Sequence, residues 1–209
     1  MRVPVVGILG GIGSGKSTVV RQVKDLRLQI IDADRIGHDL LSAPRILDQL
    51  RAAFDSSIFD DTGEVIRPRL AQVVFGETAE HANALSRLNQ IIHPAIRQEI
   101  QRQILSVPPG IDALIIDAAL LLEAGWADQC SALVFIETPQ VQRIERVKTN
   151  RNWTADELCR REQTQLPVSE KRSRCDYVVD NSGSPEQAGL QMTDILRTII
   201  RNGLRHQAL

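Results

Sequence analysis

Residues Gly10-Gly11-Ile12-Gly13-Ser14-Gly15-Lys16-Ser17 satisfy the pattern G-x-x-x-x-G-K-[ST] in full, and that pattern serves phosphate binding. Its glycines let the backbone curl until successive N–H groups point inward at phosphate oxygens, a concave anion site. The helix that follows adds its positive N-terminal end. In such a loop Lys16 bridges the β- and γ-phosphates of a nucleotide and the Ser17 hydroxyl sits on Mg2+. The bland alternative is a glycine-rich turn with Lys16 as a solvated charge. It would make an eight-residue match between an apolar run and a helical pattern a coincidence. These residues read as a nucleoside-triphosphate site, and they leave the phosphoryl acceptor open.

Three carboxylates can serve such a site. Asp32 and Asp34 follow the apolar run 28–31, at a strand's C-terminal end, where open α/β sheets place their ligands. Residues two apart in an extended segment point the same way, so both could face the phosphate loop. An acceptor hydroxyl needs a base beside the γ-phosphate, and Asp34 could be that base. Alternatively it N-caps a helix beginning at Arg35-Ile36. Leu114-Ile115-Ile116-Asp117 is an apolar strand ending in Asp, the form of a carboxylate that helps hold Mg2+. Ser17, Asp32 and Asp117 are thus the candidate metal residues. Glu123, after Leu120-Leu121-Leu122, reads equally as a solvated loop residue.

The segment 141–174 is dense in charge and carries Arg143, Arg146, Arg151, Arg160 and Arg161. Guanidinium groups on a closing lid would stabilise the charge spread over a transferring phosphoryl group while excluding water. Taken singly, each arginine reads as part of a solvent-facing helix pair laced by Glu145, Glu157 and Glu162; beside a phosphate loop, the segment as a whole reads as a lid. His93-Pro94, with Arg97 a turn later, suits the first turn of a helix. A lone histidine of this kind is more often structural than ligand-binding.

The elements that must position these residues form an α/β pattern. Apolar runs at 3–9, 28–31, 113–116, 132–136 and 177–179 predict five strands, separated by helical spacings such as 17–26 and 185–201. Short continuous strands alternating with helices indicate a parallel sheet covered on both faces. Only ~20 residues separate the first two strands, but roughly 80 separate the second and third. That interval reads as a helical insertion over about 36–109. The core then comprises about 1–35, 110–140 and 175–209.

Composition narrows the function classes. A chain of 209 residues, at ~150 per domain, is one large domain or one with an insertion. Lys+Arg at 25 against Asp+Glu at 26 lacks the footprint of a nucleic-acid binder. Aromatic residues at 3% leave little for base-stacking platforms. The longest apolar stretch, 113–122, is broken by Asp117 and is too short to cross a bilayer. The start, Met1-Arg2-Val3, runs into the first strand without a signal-peptide pattern. Cys130, Cys159 and Cys175 form no C-x-x-C pair, which suggests neither a disulfide framework nor a zinc site. The expectation is a cytoplasmic protein, a monomer or weak homo-oligomer, with neither nucleic acid nor membrane as partner.

With these residues in hand, the chain resembles the dephospho-CoA kinase family over nearly its whole length. The carriers are the loop 10–18 including Thr18, Asp32-Ala33-Asp34, and the run 88–97 with His93-Pro94-Ala95-Ile96-Arg97. With them go Leu120-Leu121-Leu122-Glu123, Arg161, Gln165-Leu166-Pro167, Glu170-Lys171 and Asp180-Asn181-Ser182-Gly183. The resemblance implies a P-loop kinase fold with a helical substrate domain and a helical lid. It implies transfer of the ATP γ-phosphoryl to the ribose 3′-hydroxyl of dephospho-CoA, with Mg2+. By that similarity Asp34, Lys16, Arg146 and Arg151 are catalytic. Gly11, Ile12, Gly13, Ser14, Gly15, Lys16, Ser17, Thr18, Asn181 and Gly183 bind the nucleotide. Asp34, His93, Arg97, Leu120 and Arg161 bind the acceptor.

The chain departs from the family pattern in three places: Leu9 stands for a Thr, Ala119 for a Pro, and Asn150 for a lid Arg whose role shifts to Arg151. The competing readings are a P-loop kinase of another small acceptor, such as a nucleoside monophosphate or shikimate, and a nucleotide switch. Val179-Asp180-Asn181-Ser182-Gly183 lacks the Lys of a guanine-specific N-K-x-D element, which weighs against a switch.

Overall fold

The computed structural model describes residues 3–205; the ends of the expected core at 1–2 and 206–209 lie outside them. The five apolar runs form five strands: β1 (Val5–Leu9), β2 (Leu28–Asp32), β3 (Ala113–Asp117), β4 (Ala132–Glu137) and β5 (Tyr177–Asp180). All pair in parallel, in the order β2-β3-β1-β4-β5. Burial along the strands matches that order. Every residue of β1 is buried, as are the first four of β3, whereas β2 and β5 have exposed positions suited to sheet edges.

The chain divides into two compact units, one running to Asp32 and resuming at Gln103, the other Ala33–Arg102. In the first, α1 (Lys16–Arg21) follows β1, while α6 (Gln140–Arg151), α7 (Ala155–Gln163) and α8 (Val168–Ser173) lie between β4 and β5, and α9 (Pro185–Arg205) follows β5. Val19 and Val20 of α1 and Ala188, Met192 and Leu196 of α9 join Val6, Ile8, Ile115, Val134 and Val179 of the sheet in one buried cluster. At roughly 25 cal/mol per Å² of apolar surface, this packing anchors the strand ends that carry the site. The expected helix over 17–26 is shorter. The N–H groups of Gln22 and Val23 bond three residues back, to Val19 and Val20 O, the tightened turn that ends helices. The three cysteines are free.

The second unit holds α2 (Ala33–Leu40), α3 (Pro44–Ala53), α4 (Arg67–Val74) and most of α5 (Ala79–Leu105). Proline stands in the first turn of both α3 and α4, where its missing N–H costs nothing. Among the described residues of 36–109 extended pairing is limited to the single bridge Phe59–Val65. The expectation that His93-Pro94 opens a helix is corrected, because Pro94 lies inside α5. Ile92, Ile96 and Ile100 form a buried stripe that runs past Pro94. Their burial carries the helix through a proline that forfeits one hydrogen bond.

Candidate active site

In a parallel sheet the carboxyl ends of all strands lie along one edge. There β1 delivers the glycine loop, β2 ends on Asp32, β3 on Asp117 and β4 on Glu137, with Asn181 just beyond β5. The register pairs Asp32 with Asp117 and Ile8 with Asp117. β1 sits where the connections diverge to either side, the switch point at which open α/β sheets bind ligands.

The loop is shaped from outside by its carbonyls. The Ser14 N–H donates to Gly11 O at 3.1 Å, and Gly13 has φ 78°, the left-handed third position of a type II turn. Gly15, at φ 82°, caps α1 with no side chain. Three donors converge on Ser14 O: Thr138 Oγ1 at 2.9 Å, Asn181 Nδ2 at 2.7 Å and Arg146 Nη1 at 3.2 Å. In a trans peptide the N–H points opposite the C=O, so the Gly15 N–H faces away from these donors. The N–H groups of a helix's first turn have no intrahelical acceptor, and here they belong to Lys16, Ser17 and Thr18. Ile12 differs from the expected set, since its N–H is given to Glu162 Oε1 at 3.1 Å. The amides oriented for an anion therefore begin at Gly13.

Beside the loop, Ser17 Oγ donates to Asp117 Oδ2 at 2.9 Å. A hydroxyl and a carboxylate in contact are the donor set that Mg2+ takes from a protein when phosphate oxygens and water complete its shell, so the residues fit that ion. No cluster of three or more His, Cys, Asp or Glu able to hold a metal occurs among the described residues. An ion here would depend on the nucleotide for further ligands.

The arginines separate into distinct settings. Arg146 is half-buried; its Nη2 also donates to Asn181 O at 3.1 Å, tying α6 to the end of β5. Asn181 is itself buried. Arg151 and Arg161 stack on Trp153, at 4.9 and 4.1 Å from the ring centre, and Arg161 Nε also pairs with Glu157 at 2.7 Å. Arg143 is not the solvated side chain its neighbours in sequence suggest; it is buried against the loop. Gly183 lies in the turn between β5 and α9, and Leu120 just after β3, where its C=O accepts the Ala124 N–H at 2.9 Å.

Glu123 is likewise engaged rather than solvated. It pairs with Lys171 Nζ at 3.0 Å and accepts the Leu166 N–H at 2.8 Å. Lys171, almost fully buried, also donates to Ala119 O at 3.0 Å and Gln165 Oε1 at 2.9 Å. Thr138 was not singled out in the sequence, and Arg143 and Glu162 were named there only as members of the charged segment, not as groups that hold the loop. Only the pairing of Glu123, Gln165 and Lys171 left a trace there, as separate motif residues.

In the second unit Asp34 is the second residue of α2 and exposed. The helix starts at Ala33, so Asp34 lies within the first turn, where a carboxylate favours the helix dipole. The extended two-residue spacing to Asp32 does not hold, because the chain turns helical between them. His93 and Arg97 are one turn apart on α5. Burial pushes the His93 imidazole below its ordinary pKa of 6.5, and Arg97 is exposed.

A five-stranded parallel sheet of this order, with a G-x-x-x-x-G-K-S loop at its switch point and a Ser–Asp pair beside it, defines a P-loop kinase fold. The dephospho-CoA kinase family model matches residues 4–187. Dephospho-CoA kinase of Carboxydothermus hydrogenoformans is 34% identical over 93% of this chain and 93% of its own. That of Corynebacterium diphtheriae is 35% identical over 86% and 89%. The crystal structure of TT1252 from Thermus thermophilus superposes with a TM-score of 0.78 at 26% identity, covering 95% of this chain and 98% of that one. The chain belongs to the dephospho-CoA kinase family.

Proposed function

We propose that the protein transfers the γ-phosphoryl group of ATP to the ribose 3′-hydroxyl of dephospho-CoA, giving coenzyme A and ADP. The observation that carries this reading is the phosphate loop with carbonyls tied outward and the Ser17–Asp117 pair at its side, in a chain of this family. The amides of Gly13 and Gly15 to Thr18 bind phosphate oxygens, and Lys16 bridges the β- and γ-phosphates. Ser17 and Asp117 would hold Mg2+, with Asp32 next to Asp117, and a bound ion would supply charge neutralisation for the phosphate oxygens. Asp34, two residues past the end of β2, takes the proton from the attacking hydroxyl. Asn181 and Gly183 flank the nucleotide base.

The segment 36–109 supplies acceptor-binding groups, His93 and Arg97 among them, and 141–174 acts as a lid. Arg146 and Arg151 there meet the charge of the transferring group, while Arg161, with Leu120, binds the acceptor. The enzyme acts in the cytoplasm on small molecules, as a monomer or weak homo-oligomer; among the described residues no helix is long and apolar enough to cross a membrane. Purified protein with Mg-ATP is expected to release ADP rapidly when dephospho-CoA is supplied and not with nucleoside monophosphates or shikimate. Equal turnover across that panel, or hydrolysis indifferent to acceptor, would overturn the reading.

A further inference from the structure

Ile12, the second residue of the turn at the tip of the loop, has both its backbone polar groups held by side chains more than a hundred residues away. Its N–H donates to Glu162 Oε1 at 3.1 Å and its C=O accepts Arg143 Nη1 at 3.2 Å. Arg143, from α6, and Glu162, from α7, also pair with each other, with 6% and 19% of their side chains exposed. The pair runs through the space above Gly11, where an added Cβ would stand 2.6 Å from Arg143 Nη1 and 3.0 Å from Glu162 Oε1.

We propose that Arg143 and Glu162 are positioning residues that lock the Ile12–Gly13 peptide in one orientation before nucleotide arrives; this rests on the reading of the loop as a triphosphate site. Turns of types I and II differ in the orientation of their central peptide. Fixing Ile12 C=O toward Arg143 directs the Gly13 N–H to the opposite side, away from the clamp. Released, the peptide samples both orientations, and nucleotide binding must order it. That lowers affinity in ground and transition states alike.

Stability does not explain the pair. A buried ion pair contributes little against an apolar pair of similar volume, and Arg143 Nε is buried without a hydrogen-bond partner among the described residues. Two leucines would fill the space but could not hold a backbone N–H and C=O.

The test compares wild type, the double variant Arg143→Leu/Glu162→Leu, and Glu162→Gln, which keeps an acceptor for the Ile12 N–H. The double variant is expected to melt no lower than wild type, with KM for ATP raised at least fivefold. Its kcat and its KM for dephospho-CoA should stay within twofold, and Glu162→Gln should stay within twofold of wild type throughout. A double variant with wild-type KM for ATP, one that fails to fold, or a Gln variant equally impaired overturns the proposal. Hydrogen exchange over residues 10–16 in nucleotide-free Glu162→Ala gives a readout without turnover. Exchange at least tenfold faster supports the clamp, and unchanged exchange overturns it. Calorimetry of wild type with Mg-ATP separates the two levels. If wild type binds no ATP, the triphosphate reading fails, while the exchange result still decides whether the clamp exists.

Discussion

Asp117 was legible as a strand-ending carboxylate, and the structure gives it the Ser17 hydroxyl at 2.9 Å. Arg143 and Glu162 were not legible. In a charge-dense segment a buried arginine has the same spelling as a solvated one, and only the fold reveals that it meets Ile12. Asp34 is the residue on which chemistry and capping readings part. Asp34→Asn is expected to lower kcat by ~10²-fold or more, the range of general-base contributions, with the KM for ATP nearly unchanged. Steady-state kinetics would check this, and full turnover would reduce Asp34 to a first-turn helix residue.

His93 carries a pH effect. Burial depresses its folded-state pKa below the ordinary 6.5, so below that pH the unfolded chain binds a proton that the folded chain resists. Stability therefore falls as pH drops below about 6.5. Urea midpoints measured from about pH 7.5 to 5.5 should fall less steeply for His93→Gln than for wild type.

At the scale of elements, the carboxyl edge of the sheet is welded to the loop by β5 and α6. Asn181, just past β5, donates to Ser14 O at 2.7 Å, and Arg146 of α6 bonds both Ser14 O and Asn181 O. Asn181→Ala removes a buried donor and is expected to cost about 1–3 kcal/mol of stability. It should also raise the KM for ATP, because the Ser14–Gly15 peptide loses one of its ties. Thermal melting and ATP titration would report the two effects, and a variant indistinguishable from wild type in both would detach Asn181 from the loop.

Helix α5 shows what local signals miss. Pro94 read as a start, yet the buried stripe of Ile92, Ile96 and Ile100 extends the helix past it, since burial outweighs one forfeited hydrogen bond. Likewise α1 reads longer by its valine spacing than it runs, because Val23 is buried after the helical turns have ended.

For the whole molecule, five strands were readable because each is a short apolar run closed by polar or glycine residues, and parallel pairing followed from the helices between them. The strand order was not, since nothing local says that β1 lies between β3 and β4. That order makes the glycine loop central. It lets Asp117 reach Ser17 and lets residues beyond β4 and β5 hold Ser14 O. Long-range contacts of this kind, 100 to 167 residues apart, leave no periodic trace in the chain.

The most direct trial follows the label from γ-labelled ATP into the product formed with dephospho-CoA and Mg2+. The expected result is one labelled phosphate on the ribose 3′-oxygen, in step with ADP. Label released as inorganic phosphate, or found on any other oxygen of the acceptor, would contradict the assignment.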